Sequence, residues 1–169
     1  LAAGLAYGGW NLAGAMQEFV ARGGFVLGVC NGFQVLVDTG LLEGLRSGGQ
    51  RSLALSSNVR GRFECRWVHL RNEDSLCTWL APGRVWPVPI AHGEGRLAVR
   101  DAGVLEQLQR ERRIVLRYVK PDGTRSDDLE TVPNGSLDAI AGVCDSTGRV
   151  LGLMPHPERN ITPWHHPQW

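Results

Sequence analysis

An α/β architecture is predicted by three observations near the front of the chain. Two stretches with apolar residues at helical spacing flank a short unbroken apolar run, Phe25-Val26-Leu27-Gly28-Val29. A run of that kind suits a parallel strand covered on both faces, and helix, strand, helix within about 30 residues is the α/β succession. The 22 glycines among 169 residues imply many tight turns or close backbone approaches.

Residues 10–22 read as the first helix, because Leu12, Met16, Phe19 and Val20 fall on one face and Gly23-Gly24 supply a stop. The apolar run is the strand. A second helix starts at Asn31, with Phe33, Leu36, Val37 and Leu41 as its buried side and Gly40 near its end. Arg62 to Leu70 alternates loosely, and Val85 to Ile90 is extended and punctuated by proline. His92-Gly93-Glu94-Gly95 reads as a loop, Val104 to Arg112 as a short helix, and Ile114 to Val119 as a strand. Lys120 to Asn134 is polar and opens with a Pro-Asp-Gly-Thr turn, so an exposed hairpin or flexible loop is expected. Ala139 to Cys144 and Val150 to Met154 form two strands joined by a tight turn, Asp145 to Arg149.

Composition narrows the function. The chain is 43% apolar and 21% charged, enough apolar content for one buried core and the wrong balance for disorder. Its length suits a single domain over residues 1–169. A net charge of +1 argues against nucleic acid or an anionic membrane surface, and Glu111 interrupts Arg110, Arg112 and Arg113. No apolar run approaches the roughly 20 residues a membrane span needs. Cys30, Cys65, Cys77 and Cys144 lie far apart without a CxxC pair. Free thiols in a reducing compartment, and so a cytoplasmic protein, are the expectation.

The sharpest feature is Gly28-Val29-Cys30-Asn31-Gly32, set between the strand and the second helix. It is a G-x-nucleophile-x-G elbow with cysteine as the nucleophile. The turn forces the side chain out of the sheet, and glycines two residues either side avoid clashes. The helix that follows aims its free N–H groups at the sulfur, which favours thiolate and can hold a developing oxyanion. A buried structural thiol is the competing reading.

A cysteine nucleophile needs a base, and the base an orienter. His156 and Glu158 lie in Met154-Pro155-His156-Pro157-Glu158-Arg159, directly after an apolar strand. In an extended stretch residues two apart share a side, so both can face one site, stiffened by the flanking prolines. Cys30, His156 and Glu158 then make a triad. A surface His-Pro turn with an unrelated glutamate is the alternative. His165-His166 in the tail offers little to a metal, since adjacent histidines cannot share a helical face, and no metal site is assigned. Trp164 and Trp169 are expected to pack the tail against the body or a partner.

With these residues in hand, the chain resembles the class I, triad-type glutamine amidotransferases, and most closely the glutaminase subunits of phosphoribosylformylglycinamidine synthase. GVCNGFQ and PHPER carry the resemblance, with Gly61 to Val68 (GRFECRWV), Pro89 to Gly95 (PIAHGEG), Pro133 to Ser136 (PNGS) and Ala139 to Cys144 (AIAGVC) between them. Leu1 to Ala15 (LAAGLAYGGWNLAGA) lines up with a family segment like LPGGFSYGDYLRAGA, with Ala2, Ala3 and Gly9 departing from it. The resemblance implies a flavodoxin-like three-layer fold that here lacks its first strands, an expectation consistent with a start at Leu1 without methionine. It also implies an oxyanion hole from the backbone N–H groups of Gly4 and Asn31. Gln34, Arg66, His92 and Gly93 are the implied substrate-binding candidates.

The activity implied is glutamine hydrolysis that feeds ammonia to an ATP-dependent synthesis step in purine formation. The chain has no G-x-x-x-x-G-K-[ST] sequence, so no cofactor is expected in it. ATP and magnesium are expected on a large synthetase subunit of the PurL type, with a small PurS-type subunit as a further partner. A truncated, non-catalytic docking module is the alternative of a different class. A different α/β cysteine hydrolase is disfavoured by the Arg62 to Val68 and Pro89 to Gly95 phrases.

Overall fold

The computed structural model describes residues 6–7, 10–43 and 51–169. Strands β1 (Ala6–Tyr7) and β2 (Trp10–Asn11) pair antiparallel and lead into helix α1 (Leu12–Ala21). Strand β3 (Val26–Val29) and helix α2 (Asn31–Asp38) follow, with Cys30 between them. Then come β4 (Leu53–Ser57), β5 (Glu64–Asn72), β6 (Val85–His92) and β7 (Glu94–Val99). Helix α3 (Ala102–Arg110), β8 (Ile114–Val119), β9 (Ile140–Cys144) and β10 (Val150–Leu153) complete the order.

Six strands form one sheet in the order β3-β10-β9-β8-β5-β6, and β4 pairs with β7 separately. β3 runs parallel to β10, with Gly28 opposite Gly152, while the other described ladders are antiparallel. Those directions put the ends of β3, β6, β8 and β10 on one edge of the sheet, with the starts of β5 and β9. That edge carries Cys30, His92 and, three residues past β10, His156.

The core has two sides because alternate residues of a strand face opposite ways. Val150 and Met154 join Phe33, Leu36 and Val37 of α2, together with Leu97, Val104 and Leu108. Leu151 and Leu153 join Val68, Val88, Ile90 and Tyr118 on the other face, closed by Cys77, Val132, Trp79 and Leu80. Each buried Phe, Leu or Val is worth about 1.5–3 kcal/mol, so three of them fix α2 on the sheet. The elbow in front of α2 is fixed with it.

Several expectations need correction. The first helix starts at Leu12, and Leu12 and Phe19 are exposed; Met16 and Val20 are the ones that pack on the core. β3 is paired on one side among the described residues, and Phe25 and Leu27 are each 49% exposed, Phe25 keeping contact with Trp79 and Arg149. His92 to Gly95 is no loop: β6 and β7 run up to a one-residue corner at Gly93. The polar stretch from Lys120 is exposed or half-buried as far as Glu130, and only its last four residues, Thr131, Val132, Pro133 and Asn134, are buried. β4, which alternates weakly, has no counterpart in the sequence reading. The tail touches the body through His166, edge-on to Trp67 at 4.8 Å, whereas Trp164 and Trp169 stay exposed.

Candidate active site

Cys30 has φ +51° and ψ −106°, a left-handed conformation that non-glycine residues rarely adopt. Its N–H donates to the Leu153 carbonyl at 2.8 Å, and its own carbonyl accepts from Gln34 N at 3.2 Å. One bond ties the elbow to β10 and the other opens α2. A Cβ at Gly28 would lie 2.8 Å from the carbonyl carbon and oxygen of Gly32, so strand and helix start meet backbone to backbone. Gly32 has open space around it.

The expected lowering of the thiol pKa is not what the structure gives. Burial pushes Cys30 up from 9.0, against the Asn31 N–H that donates to the sulfur and the nearby charge of Arg159; Glu158 adds to the rise. Desolvation of a thiolate outweighs one helix-start amide, so the group rests as a thiol. Its sulfur lies 4.0 Å from the Ala91 carbonyl. The other buried thiols, Cys77 and Cys144, are pushed further, to about 11 and about 12, by burial. Cys65 is exposed, and all four cysteines are free.

His156 Nδ1 lies 2.6 Å from Glu158 Oε1, as the sequence anticipated, though by a different geometry. Pro157–Arg159 form a 3-10 turn, which folds the carboxylate back onto the ring instead of holding both on an extended strand. The carboxylate can only accept, so Nδ1 carries the proton and Nε2 presents its lone pair. That Nε2 is buried without a partner among the described residues. The His156 N–H donates to Pro89 O at 2.9 Å, so base and nucleophile both rest on the last residues of β6.

His92 is brought to the same edge. It is 3% exposed, its Nδ1 lies 3.2 Å from Asn58 Oδ1, and its Nε2 is buried without a partner among the described residues. Burial, then the neighbouring His156, push its pKa down to about 4, with Glu64 opposing. Gly93 is the β6–β7 corner, its carbonyl accepting from Asn58 N at 2.9 Å. Gln34 is half-buried on α2, one turn past the nucleophile. The Arg66 guanidinium donates to Leu129 O and to Glu130 at 3.1 Å and lies 3.8 Å from Glu64. Gly4 lies outside the described residues.

Two polar groups were missed by the sequence reading as site components. Asn58 follows β4 and bonds both sides of the Gly93 corner. Tyr118 is fully buried, its hydroxyl 3.4 Å from Asn134 Nδ2, within electrostatic reach of Cys30. Asn134 lies in the quoted PNGS phrase, whereas nothing around Asn58 in sequence marks it.

The described residues hold no group of three or more His, Cys, Asp or Glu suited to a metal ion. Among them, no helix is long and apolar enough to cross a membrane.

Known proteins match this chain along nearly all of it. The CobB/CobQ-like glutamine amidotransferase domain matches residues 6–169. The phosphoribosylformylglycinamidine synthase subunit PurQ of Synechococcus sp. (strain JA-3-3Ab) is 43% identical over 176 residues, which cover 96% of this chain and 69% of that one. PurQ of Methanococcus maripaludis (strain S2) is 42% identical over 161 residues, 94% of this chain and 59% of the relative. Against the Methanococcus relatives, the chain thus spans about three-fifths of their length. The structure of PurLQS from Thermotoga maritima superposes with a TM-score of 0.65 at 34% identity, covering 92% of this chain and 61% of that chain. An α/β chain with a cysteine elbow and a His–Glu pair on one sheet edge, matched this extensively, belongs to the CobB/CobQ-like glutamine amidotransferase family and, within it, to the PurQ subunits.

Proposed function

We propose that this chain performs the glutaminase half-reaction of phosphoribosylformylglycinamidine synthase, with Cys30, His156 and Glu158 as its triad. The observation that carries the reading is the elbow. Cys30 stands at φ +51° between β3 and α2, with the Asn31 N–H on its sulfur, on the edge where His156 is paired with Glu158.

The chemistry follows from the protonation states. A thiol whose pKa is raised cannot attack by itself, so its proton goes to a base as the S–C bond forms. His156 Nε2, buried and unpartnered, is that base, and Glu158 stabilises the imidazolium through Nδ1–H. The Asn31 N–H, joined by that of Gly4, holds the tetrahedral oxyanion. Collapse breaks the C–N bond, His156 returns its proton to the departing nitrogen, and ammonia leaves a glutamyl thioester. Water then gives up a proton to His156, attacks the thioester and releases glutamate, restoring the thiol. Gln34, His92 and Gly93 line the substrate side; Arg66 is assigned to holding the 129–130 segment.

The ammonia is consumed in converting formylglycinamide ribonucleotide to formylglycinamidine ribonucleotide, an early purine-forming step run in the cytoplasm. No cofactor is assigned to this chain. ATP and magnesium belong to a large PurL-type synthetase, with a small PurS-type subunit in the same assembly. Support comes from the PurQ relatives and the PurLQS neighbour.

Treatment with an electrophilic glutamine analogue, followed by intact mass measurement, tests the reading. One adduct, mapped to Cys30 and absent from Cys30→Ser, is expected, with glutaminase turnover reduced at least about 10³-fold in that variant. An unlabelled Cys30, with Cys30→Ser matching the parent, overturns it in favour of a non-catalytic docking module.

A further inference from the structure

The site holds two imidazoles pinned alike and backed differently. Each offers Nδ1 to an acceptor and keeps a buried Nε2 without a partner among the described residues. For His156 the acceptor is a carboxylate. For His92 it is the amide of Asn58, itself 3% exposed.

The orientation of that amide is fixed by its surroundings. Asn58 Nδ2 lies 2.9 Å from Arg62 O and 2.8 Å from His92 O, two carbonyls that can only accept. Nδ2 must face them, so Oδ1 faces His92, and Nδ1 is obliged to donate. His92 Nε2 is therefore a bare lone pair. It cannot stabilise an oxyanion, which needs donors; it needs a donor of its own, because an acceptor buried unpaired has lost its bonds to water without replacement.

Position selects the donor. Cys30 Sγ and the His156 N–H both meet the Pro89–Ala91 stretch, and His92 is the next residue. The His92 ring is also close enough to His156 for the two to act on each other electrostatically, which puts its lone pair on the triad's side of the site. On the glutaminase reading, the carboxamide nitrogen is the N–H donor brought next to the triad. We infer that His92 Nε2 accepts a hydrogen bond from the departing amide nitrogen, and that Asn58 is the positioning residue that holds His92 in the accepting tautomer. This deepens the glutaminase reading and rests on it.

The division of labour balances the reaction. Cys30 gives its proton to His156, the S–C bond forms, the C–N bond breaks, and His156 alone returns the proton to nitrogen. His92 gains and loses none. It orients the nitrogen lone pair toward the His156 proton, and it is too weak a base to be carrying a proton near pH 7. The water that replaces ammonia finds the same acceptor. A carboxylate in place of the Asn58 amide would build a second base beside the first; the charged groups acting on His92 are His156 and, opposing it, Glu64.

The test is a ¹H–¹⁵N correlation of the histidine rings in the intact labelled protein from pH 5.5 to 8, joined to kinetics. His92 is expected to show a protonated Nδ1 and a bare Nε2 throughout, without titrating, whatever the turnover of the sample. A proton on Nε2, or a titration near pH 6.5, overturns the inference even where turnover depends on Cys30. His92→Gln, which can keep an acceptor oxygen in place, is expected to hold kcat within about tenfold, and His92→Leu to lose about 10²-fold, with KM for glutamine moved little. Equal losses in the two variants overturn it. Asn58→Leu is expected to release the tautomer and lower kcat about tenfold; an unchanged ring spectrum in a folded Asn58→Leu overturns the role of Asn58. Turnover unaffected by Cys30→Ser would instead remove the glutaminase reading beneath it.

Discussion

β3 and β10 are parallel neighbours that deliver the two halves of one reaction, and they are held in place by different means. Every residue of β10 is buried, between β3 and β9, and the strand runs on to Met154 and His156. β3 has one paired side among the described residues, with Leu27 half exposed, and it ends at Cys30. The base therefore sits on a strand anchored by burial. The nucleophile sits on one anchored by close backbone contact, Gly28 against Gly32, and by the bond from Cys30 N to Leu153 O. The lesson is that glycine does for β3 what leucine and valine do for β10.

Gly28→Ala is the sharpest way to break that contrast. Its new Cβ would meet the Gly32 backbone at 2.8 Å, and no side-chain rotation relieves a backbone clash. A loss of about 3 kcal/mol in urea unfolding, with glutaminase turnover down about 10²-fold through a displaced Cys30, is expected. A wild-type midpoint and rate would show that burial, not glycine contact, holds the elbow.

The same substitution on β10 should cost less. At Gly152 the added Cβ would overlap Phe33 at Cδ2, with Cε2 at 2.7 Å and Cγ at 2.9 Å, and a whole side chain can swing to another rotamer where a backbone cannot. Gly152→Ala is expected to lose about 1–2 kcal/mol, and adding Phe33→Leu to recover part of it in the double variant. Additive losses in the pair would mean the clash lies elsewhere.

Leu27→Lys is the mildest probe. Half exposed on β3, the leucine contributes little to the core, so stability should stay within about 0.5 kcal/mol. Any self-association measured by sedimentation should fall, since a charge on a strand unpaired on one side among the described residues discourages strand pairing. A large loss of stability would make β3 as burial-dependent as β10.

What could be read in the sequence was whatever is local. The elbow needs five consecutive residues, the His–Glu pair three, and the β9–β10 hairpin a single turn, so each stood out. His156 and Glu158 were paired for the wrong reason: a period-two argument cannot see the 3-10 turn that Pro157 starts. The thiol shift went astray because helix-start amides are visible in sequence, whereas the burial that overrides them depends on how β6 and β10 close over Cys30. Asn58 was illegible for the same reason. Its partners, Arg62 and His92, are 4 and 34 residues away, and only the folded corner at Gly93 gathers them. Arg66 was placed at the substrate by family likeness alone; its contacts to Glu130 and Leu129, 64 and 63 residues away, could not be read from its neighbours in sequence.

Keeping Cys30 as a thiol has a consequence for the working life of the protein. Peroxide attacks thiolate and not thiol, and the product climbs from sulfenic to sulfinic acid, the latter beyond ordinary repair. Burial that raises the pKa of the nucleophile withholds the oxidisable form between turnovers. Reactivity is granted only at the moment the proton moves to His156. A nucleophile stored this way resists oxidative ageing better than one held permanently as thiolate, and the desolvation that makes attack harder is the same one that preserves the sulfur.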